Sequence, residues 1–182
     1  MSLHTPPLPL REAATLHDAT SGGGGYLELL PGELAVGSLG DQFRTLLGSC
    51  IAVILTDPRR TVGAMCHIVH VGSPAHGDTG NTAYGQPAMD ELFARLRRMG
   101  INPEMCQAFI YGGGNMFPEL FRNQHVGASN ADWVRDFLHR HGILVLDEQI
   151  GGNGYRKVAW TVGSHMPIVE FISPDPDSRH AS

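Results

Sequence analysis

A chain of 182 residues with 42% hydrophobic and 17% charged residues is most simply one globular domain, long enough to bury a sizeable core. Its net charge of −5, with Arg95, Arg97 and Arg98 as the one basic cluster, argues against nucleic acid, and no apolar run approaches the roughly 20 residues of a membrane-spanning helix. The N-terminus lacks the pattern of a secretory signal, and three cysteines without paired spacing point to free thiols in a reducing compartment, so a cytoplasmic protein is expected.

Residues 1–25 carry Pro6, Pro7, Pro9 and the run Ser21-Gly22-Gly23-Gly24-Gly25, the composition of a flexible arm and linker. Tyr26 to Leu30 reads as a strand, Pro31-Gly32 as a turn and Leu34 to Val36 as a second strand. Gly37 to Gln42 reads as a loop leading to Thr45.

Ile51 to Leu55 has the length and β-branched content of a buried strand. Asp57-Pro58-Arg59-Arg60 suits a type I turn, and Val62 to Val69 reads as the returning strand. A hairpin centred between Pro58 and Arg59 places Cys50 opposite His67, on one face, with Cβ atoms roughly 4.5–5.5 Å apart. The same alternation sends Cys66 and His70 to the other face.

His70 to Gly85 is a long polar loop, expected at the rim of a cleft because it follows the His67 strand. Pro87 to Met99 has the apolar stripe of a helix, stopped by Gly100. Met105 to Tyr111 reads as a strand, with Cys106 as a buried hydrophobe. It runs into Gly112-Gly113-Gly114-Asn115, which lacks nucleotide-fingerprint spacing but allows close approach by a substrate or another segment. Ser129 or Asn130 is the expected cap of a second helix through His141. Ile143 to Leu146, Lys157 to Thr161 and Pro167 to Ile172 read as strands, and residues 173–182 as a disordered tail. The expected organisation is an arm (1–25), one domain (26–172) and the tail. The fold class is α+β, a layered domain of mixed β-sheets with two main helices packed outside.

A cysteine beside a histidine is a unit of nucleophilic chemistry. An imidazolium, or a turn presenting N–H groups, lowers a thiol pKa; the thiolate attacks an amide carbonyl, and the imidazole protonates the departing nitrogen. Gly48-Ser49, just before Cys50, would present N–H donors to an oxyanion, and Thr45 would orient the imidazole or donate to the oxyanion. The bland alternative is a buried structural Cys beside a satisfied core His. A metal site built from Cys50, Cys66, His67, His70 and His76 is disfavoured, because close paired spacing is missing and strand alternation splits the set.

These residues also carry a resemblance. Thr45, Leu47-Gly48-Ser49-Cys50, Asp57, Gly63-Ala64-Met65 and His67 follow the pattern of the chemoreceptor glutamine deamidase family, CheD. Upstream it includes Pro31-Gly32-Glu33; downstream it continues through Tyr84, Tyr111 to Phe117, Gly127, Asn130, Gly151-Gly152 and Tyr155-Arg156-Lys157. The chain departs from the family pattern at Val69-His70-Val71, where a Leu-Pro exit is common, and at Gly112-Gly113-Gly114-Asn115, where Gly-Gly-Ala-Asn is usual.

The resemblance implies a fold similar to glutamine-deamidating toxin catalytic domains. It implies Cys50 as nucleophile, His67 as acid/base and Thr45 as a supporting hydroxyl, with Ser49, Gly48 and Asn115 near the substrate or oxyanion. No cofactor or metal is implied. The substrates would be glutamines of methyl-accepting chemotaxis receptors, at receptor arrays, and the partners a CheC-type phosphatase or a response regulator. Rival readings are a non-catalytic adaptor that binds receptors or such a phosphatase, a metal-binding module, or a cysteine protease or transglutaminase.

Overall fold

The segment Ile-Ala-Val-Ile-Leu-Thr is apolar at nearly every position, so a strand made of it needs cover on both faces. In the computed structural model, which describes residues 26–75, 77–121 and 125–174, that cover is a second sheet on one side and two helices on the other. The expected N-terminal arm, His76 and nearly all of the expected tail lie outside the described residues.

The elements in chain order are β1 (Leu27–Glu28), β2 (Leu34–Ser38), β3 (Gln42–Leu47), β4 (Ile51–Thr56), β5 (Val62–Ile68), α1 (Gly85–Arg98), β6 (Gln107–Gly112), α2 (Val126–Arg140), β7 (Leu144–Ile150), β8 (Tyr155–Thr161) and β9 (Ile168–Ile172). One sheet has the order β2-β5-β4-β6-β7 and the other β1-β3-β8-β9. Both are mixed: β6 and β7 run parallel, as do β1 and β3, and the remaining pairs are antiparallel. This is the α+β, layered architecture expected.

Alternation sorts the side chains of the central strands. Ile51, Val53 and Leu55 of β4 join Ala64, Cys66 and Ile68 of β5 beneath the helices, against Leu92, Leu96, Val134 and Phe137. Ala52, Ile54, Met65, Phe109 and Tyr111 face the other way and meet Phe43, Leu47, Val158 and Trp160 of the second sheet. His67 is buried, and its place in β5 puts it on this inter-sheet face with Met65.

The β4–β5 register corrects one expectation. His67 pairs with Ala52, not with Cys50. The turn itself is present: Arg60 N–H donates to the Asp57 carbonyl at 2.8 Å. Asp57 then widens the loop. Its Oδ1 accepts the N–H groups of Thr61 (2.7 Å) and Val62 (2.8 Å), and its Oδ2 accepts the Thr61 hydroxyl (2.9 Å). Arg60 takes up the left-handed conformation, φ 57°, and the ladder resumes only at Thr56 with Gly63. The slip is by two positions, and an even slip keeps every side chain on its face. Cys50, just before β4, accordingly packs against the same inter-sheet core.

Three further corrections concern element boundaries. The loop expected at 37–42 shrinks to residues 39–41, because β2 runs to Ser38 and β3 opens at Gln42, so Thr45 lies on a strand whose alternating Phe43, Thr45 and Leu47 are buried. The strand expected at 143–146 extends to Ile150. The second helix starts at Val126, capped by His125, whose Nδ1 accepts the Ala128 N–H at 3.2 Å. Ser129 and Asn130 are favourable cap types, yet both lie inside the helix, and the Asn130 side chain is used elsewhere.

Asp57 makes the hairpin pH-sensitive. Burial alone would raise its carboxyl pKa, but hydrogen bonds from Val62 and Thr61 hold it below the usual carboxylate range. A lowered folded pKa contributes stability above the unfolded value of about 3.9, which is lost as pH falls through the folded one. Asp57→Asn should cost about 1–3 kcal/mol at pH 7 and flatten the acid limb of stability, read by urea unfolding at pH 7 and at pH 3. An unchanged acid limb would count against this assignment.

Candidate functional site at the corner between two sheets

β3 belongs to one sheet and β4 to the other, and the chain crosses between them in the three residues Gly48-Ser49-Cys50. Each carbonyl of this corner is held. Gly114 N–H donates to Gly48 (2.8 Å), Gly113 N–H donates to Cys50 (2.8 Å), and the Asn130 side-chain nitrogen donates to Ser49 (3.0 Å). Their own N–H groups find no backbone acceptor among the described residues. The glycines at 112–113 are required here. Gly112 has φ 116° and Gly113 φ 64°, and a Cβ on Gly112 would collide with the Cys50 carbonyl oxygen.

His67 reaches the same region from β5. Thr45, on the facing sheet, has one hydroxyl proton, donated to the Leu29 carbonyl at 2.7 Å. Its contact with His67 Nδ1, at 2.8 Å, must therefore run from ring N–H to hydroxyl oxygen. That assigns the proton to Nδ1 and leaves a lone pair on Nε2, which is buried with no hydrogen-bond partner among the described residues, Cys50 included.

Burial decides the charge states. It lowers the His67 pKa, opposed by the Leu29 carbonyl and the charge of Glu33. Burial likewise pushes the half-buried Cys50 thiol up. His67, neutral and with an open Nε2, and the neutral Cys50 thiol share the inter-sheet face, and no hydrogen bond joins them among the described residues. Cys66, on the helix side of β5, is pushed up to about 12, and Cys106 to about 11, burial leading in both.

Beside the corner opens a cleft of about 780 Å³, lined by Ser49, Tyr84, Asn115, Phe117, Phe121 and Asn130 among others. His70 lines it too, together with residues of α2, whereas Cys50, His67 and Thr45 are not among its lining residues. Of its lining residues Phe117 is 64% exposed and Phe121 49%, so apolar surface is open to solvent there. Both polar atoms of the Asn115 amide are committed to their own loop: Oδ1 accepts the Phe117 N–H at 3.1 Å and Nδ2 donates to the Phe121 carbonyl. Asn115 shapes the cleft wall.

The family model for CheD chemotactic sensory transduction matches residues 71–169. The chain belongs to the CheD family. It is 37% identical over 140 residues to the probable chemoreceptor glutamine deamidase CheD 2 of Albidiferax ferrireducens, spanning 75% of this chain and 81% of that one. It is 36% identical over 126 residues to the chemoreceptor glutamine deamidase CheD of Thermotoga maritima, spanning 69% and 78%. A probable chemoreceptor glutamine deamidase CheD of a Caulobacter species is 38% identical over 132 residues, spanning 72% and 69%.

Three contributors to the site escaped the sequence reading: the Leu29 carbonyl, Glu33 as a charge acting on His67, and the Asn130 side chain. A backbone carbonyl carries no residue signal. Glu33 and Asn130 stand within the family pattern, but their partners are 34 and 81 residues away. The inward alternation of Phe43, Thr45 and Leu47 was the one signal that would have placed Thr45 on a strand facing the core.

The three thiols should differ in reactivity. Cys50 should take up iodoacetamide more than about tenfold faster than Cys66 or Cys106 near neutral pH, because only it combines access with a modest upward shift. Peptide mapping of partially labelled native protein reads this directly; comparable labelling of Cys66 would remove the distinction.

Proposed function

We propose that the chain hydrolyses glutamine side-chain amides of chemoreceptors to glutamate and ammonia, with Cys50 as nucleophile and His67 as acid and base. The single observation that carries this reading is His67: its Nδ1 proton is committed to Thr45 and its buried Nε2 is left open, on the face against which Cys50 packs. A histidine kept only for packing has no need of a free lone pair. Membership of the family, whose relatives are named glutamine deamidases, supplies the substrate class.

The chemistry follows from the neutral pair. As the amide carbon approaches, Nε2 takes the Cys50 thiol proton while sulfur bonds to the carbon. The oxyanion is met by the N–H groups of the Gly48-Ser49-Cys50 corner, which have no backbone acceptor among the described residues. Nε2–H then protonates the amide nitrogen, the carbon–nitrogen bond breaks and ammonia leaves a thioester. Water gives a proton to Nε2 and attacks the thioester; the carbon–sulfur bond breaks, Cys50 recovers its proton and glutamate remains. Thr45 contributes by holding the ring so that Nε2 faces the sulfur. The exposed apolar side chains of Phe117 and Phe121 suit a protein substrate that offers a side chain to the cleft.

The setting that goes with this function is the cytoplasm, at receptor arrays, and the expected regulator is a CheC-type phosphatase or a response regulator. Consistent with it, no described helix is long and apolar enough to cross a membrane.

Mass spectrometry of receptor peptides after incubation with purified protein tests the activity. Cys50→Ala should convert no glutamine, and persistence of conversion would refute the mechanism. Thr45→Val should keep the fold and lower kcat by up to about 100-fold, since loss of ring orientation displaces Nε2. With the His67 pKa lowered, the base form persists into mild acid, so the acid limb of kcat/KM should fall below about pH 6.5. An acid limb centred above pH 7 would contradict the neutral-pair assignment.

A further inference from the structure

We propose that Asn130 is a positioning residue for this reaction, setting the spacing between the Cys50 corner and the His67 strand; the inference rests on the catalytic reading above. Asn130 lies on α2 and is 1% exposed. Its Nδ2 donates to the Ser49 carbonyl and to the Val69 carbonyl, both at 3.0 Å. Ser49 immediately precedes Cys50, and Val69 is the first residue beyond β5, two after His67. One nitrogen thus ties the segment that bears the thiol to the segment that bears the imidazole.

The chemistry singles out a primary amide. Its nitrogen carries two hydrogens and so can serve two carbonyls from one atom; a hydroxyl has one, and an ionised carboxylate none. The two acceptors also settle the amide's orientation, since the flipped form would turn its oxygen onto both. In the observed orientation Oδ1 is buried with no hydrogen-bond partner among the described residues. An unsatisfied buried carbonyl is a cost to the fold, and such departures are expected where function sets the arrangement.

The approach of α2 is built for this reach. Gly127 sits one helical turn before Asn130, and a Cβ there would collide with the Gly113 carbonyl. Gly113 and Gly114 in turn hold the carbonyls of Cys50 and Gly48. Helix, glycine strand and corner stack without side chains between them, which brings the Asn130 amide within bonding distance of Ser49.

The test compares wild type with Asn130→Asp, Asn130→Ala, Gly127→Ala and Cys50→Ala. Receptor-peptide deamidation gives kcat and KM, iodoacetamide rates give the pH profile of Cys50, and thermal unfolding gives stability. Asn130→Asp keeps the shape but cannot donate, so kcat should fall about 100-fold with KM little changed, and the alkylation profile should move to higher pH. Asn130→Ala should behave alike. Gly127→Ala keeps the amide but lifts the helix, and should lower kcat despite its better helix propensity; it decides the matter if neither Asn130 variant folds. A folded Asn130 variant with wild-type kcat and alkylation profile overturns the proposal, as does a lowered unfolding temperature with kcat unchanged. A wild-type protein that deamidates nothing, or a Cys50→Ala protein that still deamidates, would defeat the catalytic reading separately, and the alkylation profiles would still show whether Asn130 governs Cys50.

Discussion

The arrangement depends on one short passage. The chain leaves one sheet at Leu47 and enters the other at Ile51, and the three residues between them carry Cys50. Thr45 stands on the sheet being left, His67 on the sheet being entered, and the hydrogen bond between them spans the sandwich. A sandwich held only by apolar contact would let its sheets slide, since hydrophobic attraction has no direction. The Thr45–His67 bond adds a directed contact at the place where the two sheets share a covalent corner.

That contact also sets the protonation of the imidazole. Because Leu29 takes the only Thr45 proton, the hydroxyl oxygen is an acceptor toward His67, and the ring is left basic at Nε2. Burial keeps both His67 and Cys50 neutral. In the proposed reaction this matters in two ways. A neutral thiol resists adventitious alkylation and oxidation better than a preformed thiolate. Proton transfer to Nε2 then accompanies attack on the amide, and charge builds only where the corner's N–H groups can meet it.

Glycine supplies the remaining precision. At 112 and 113 it permits positive φ, and at 127 it lets a helix lie against backbone. The carbonyls of Gly48, Ser49 and Cys50 are each held by a donor from a segment more than 60 residues away in sequence. A corner whose three carbonyls are all held keeps its N–H groups in place before any substrate arrives, which is the condition for electrostatic stabilisation without reorganisation.

The layered α+β class, the apolar strands β4 and β5, both main helices, and the shared face of Cys50 and His67 were legible in the residues. These rest on local periodicity and turn chemistry, which a reader of residues can see. The face survived even though the register was misjudged by two positions, because side-chain direction in a strand depends only on parity. Three facts emerge only on folding: Thr45 lies across the sandwich from His67, Leu29 sets the tautomer, and Asn130 ties two carbonyls together and is not a helix cap. The last two join residues 16 to 81 positions apart through backbone carbonyls, a partner type that every residue possesses and no residue type advertises.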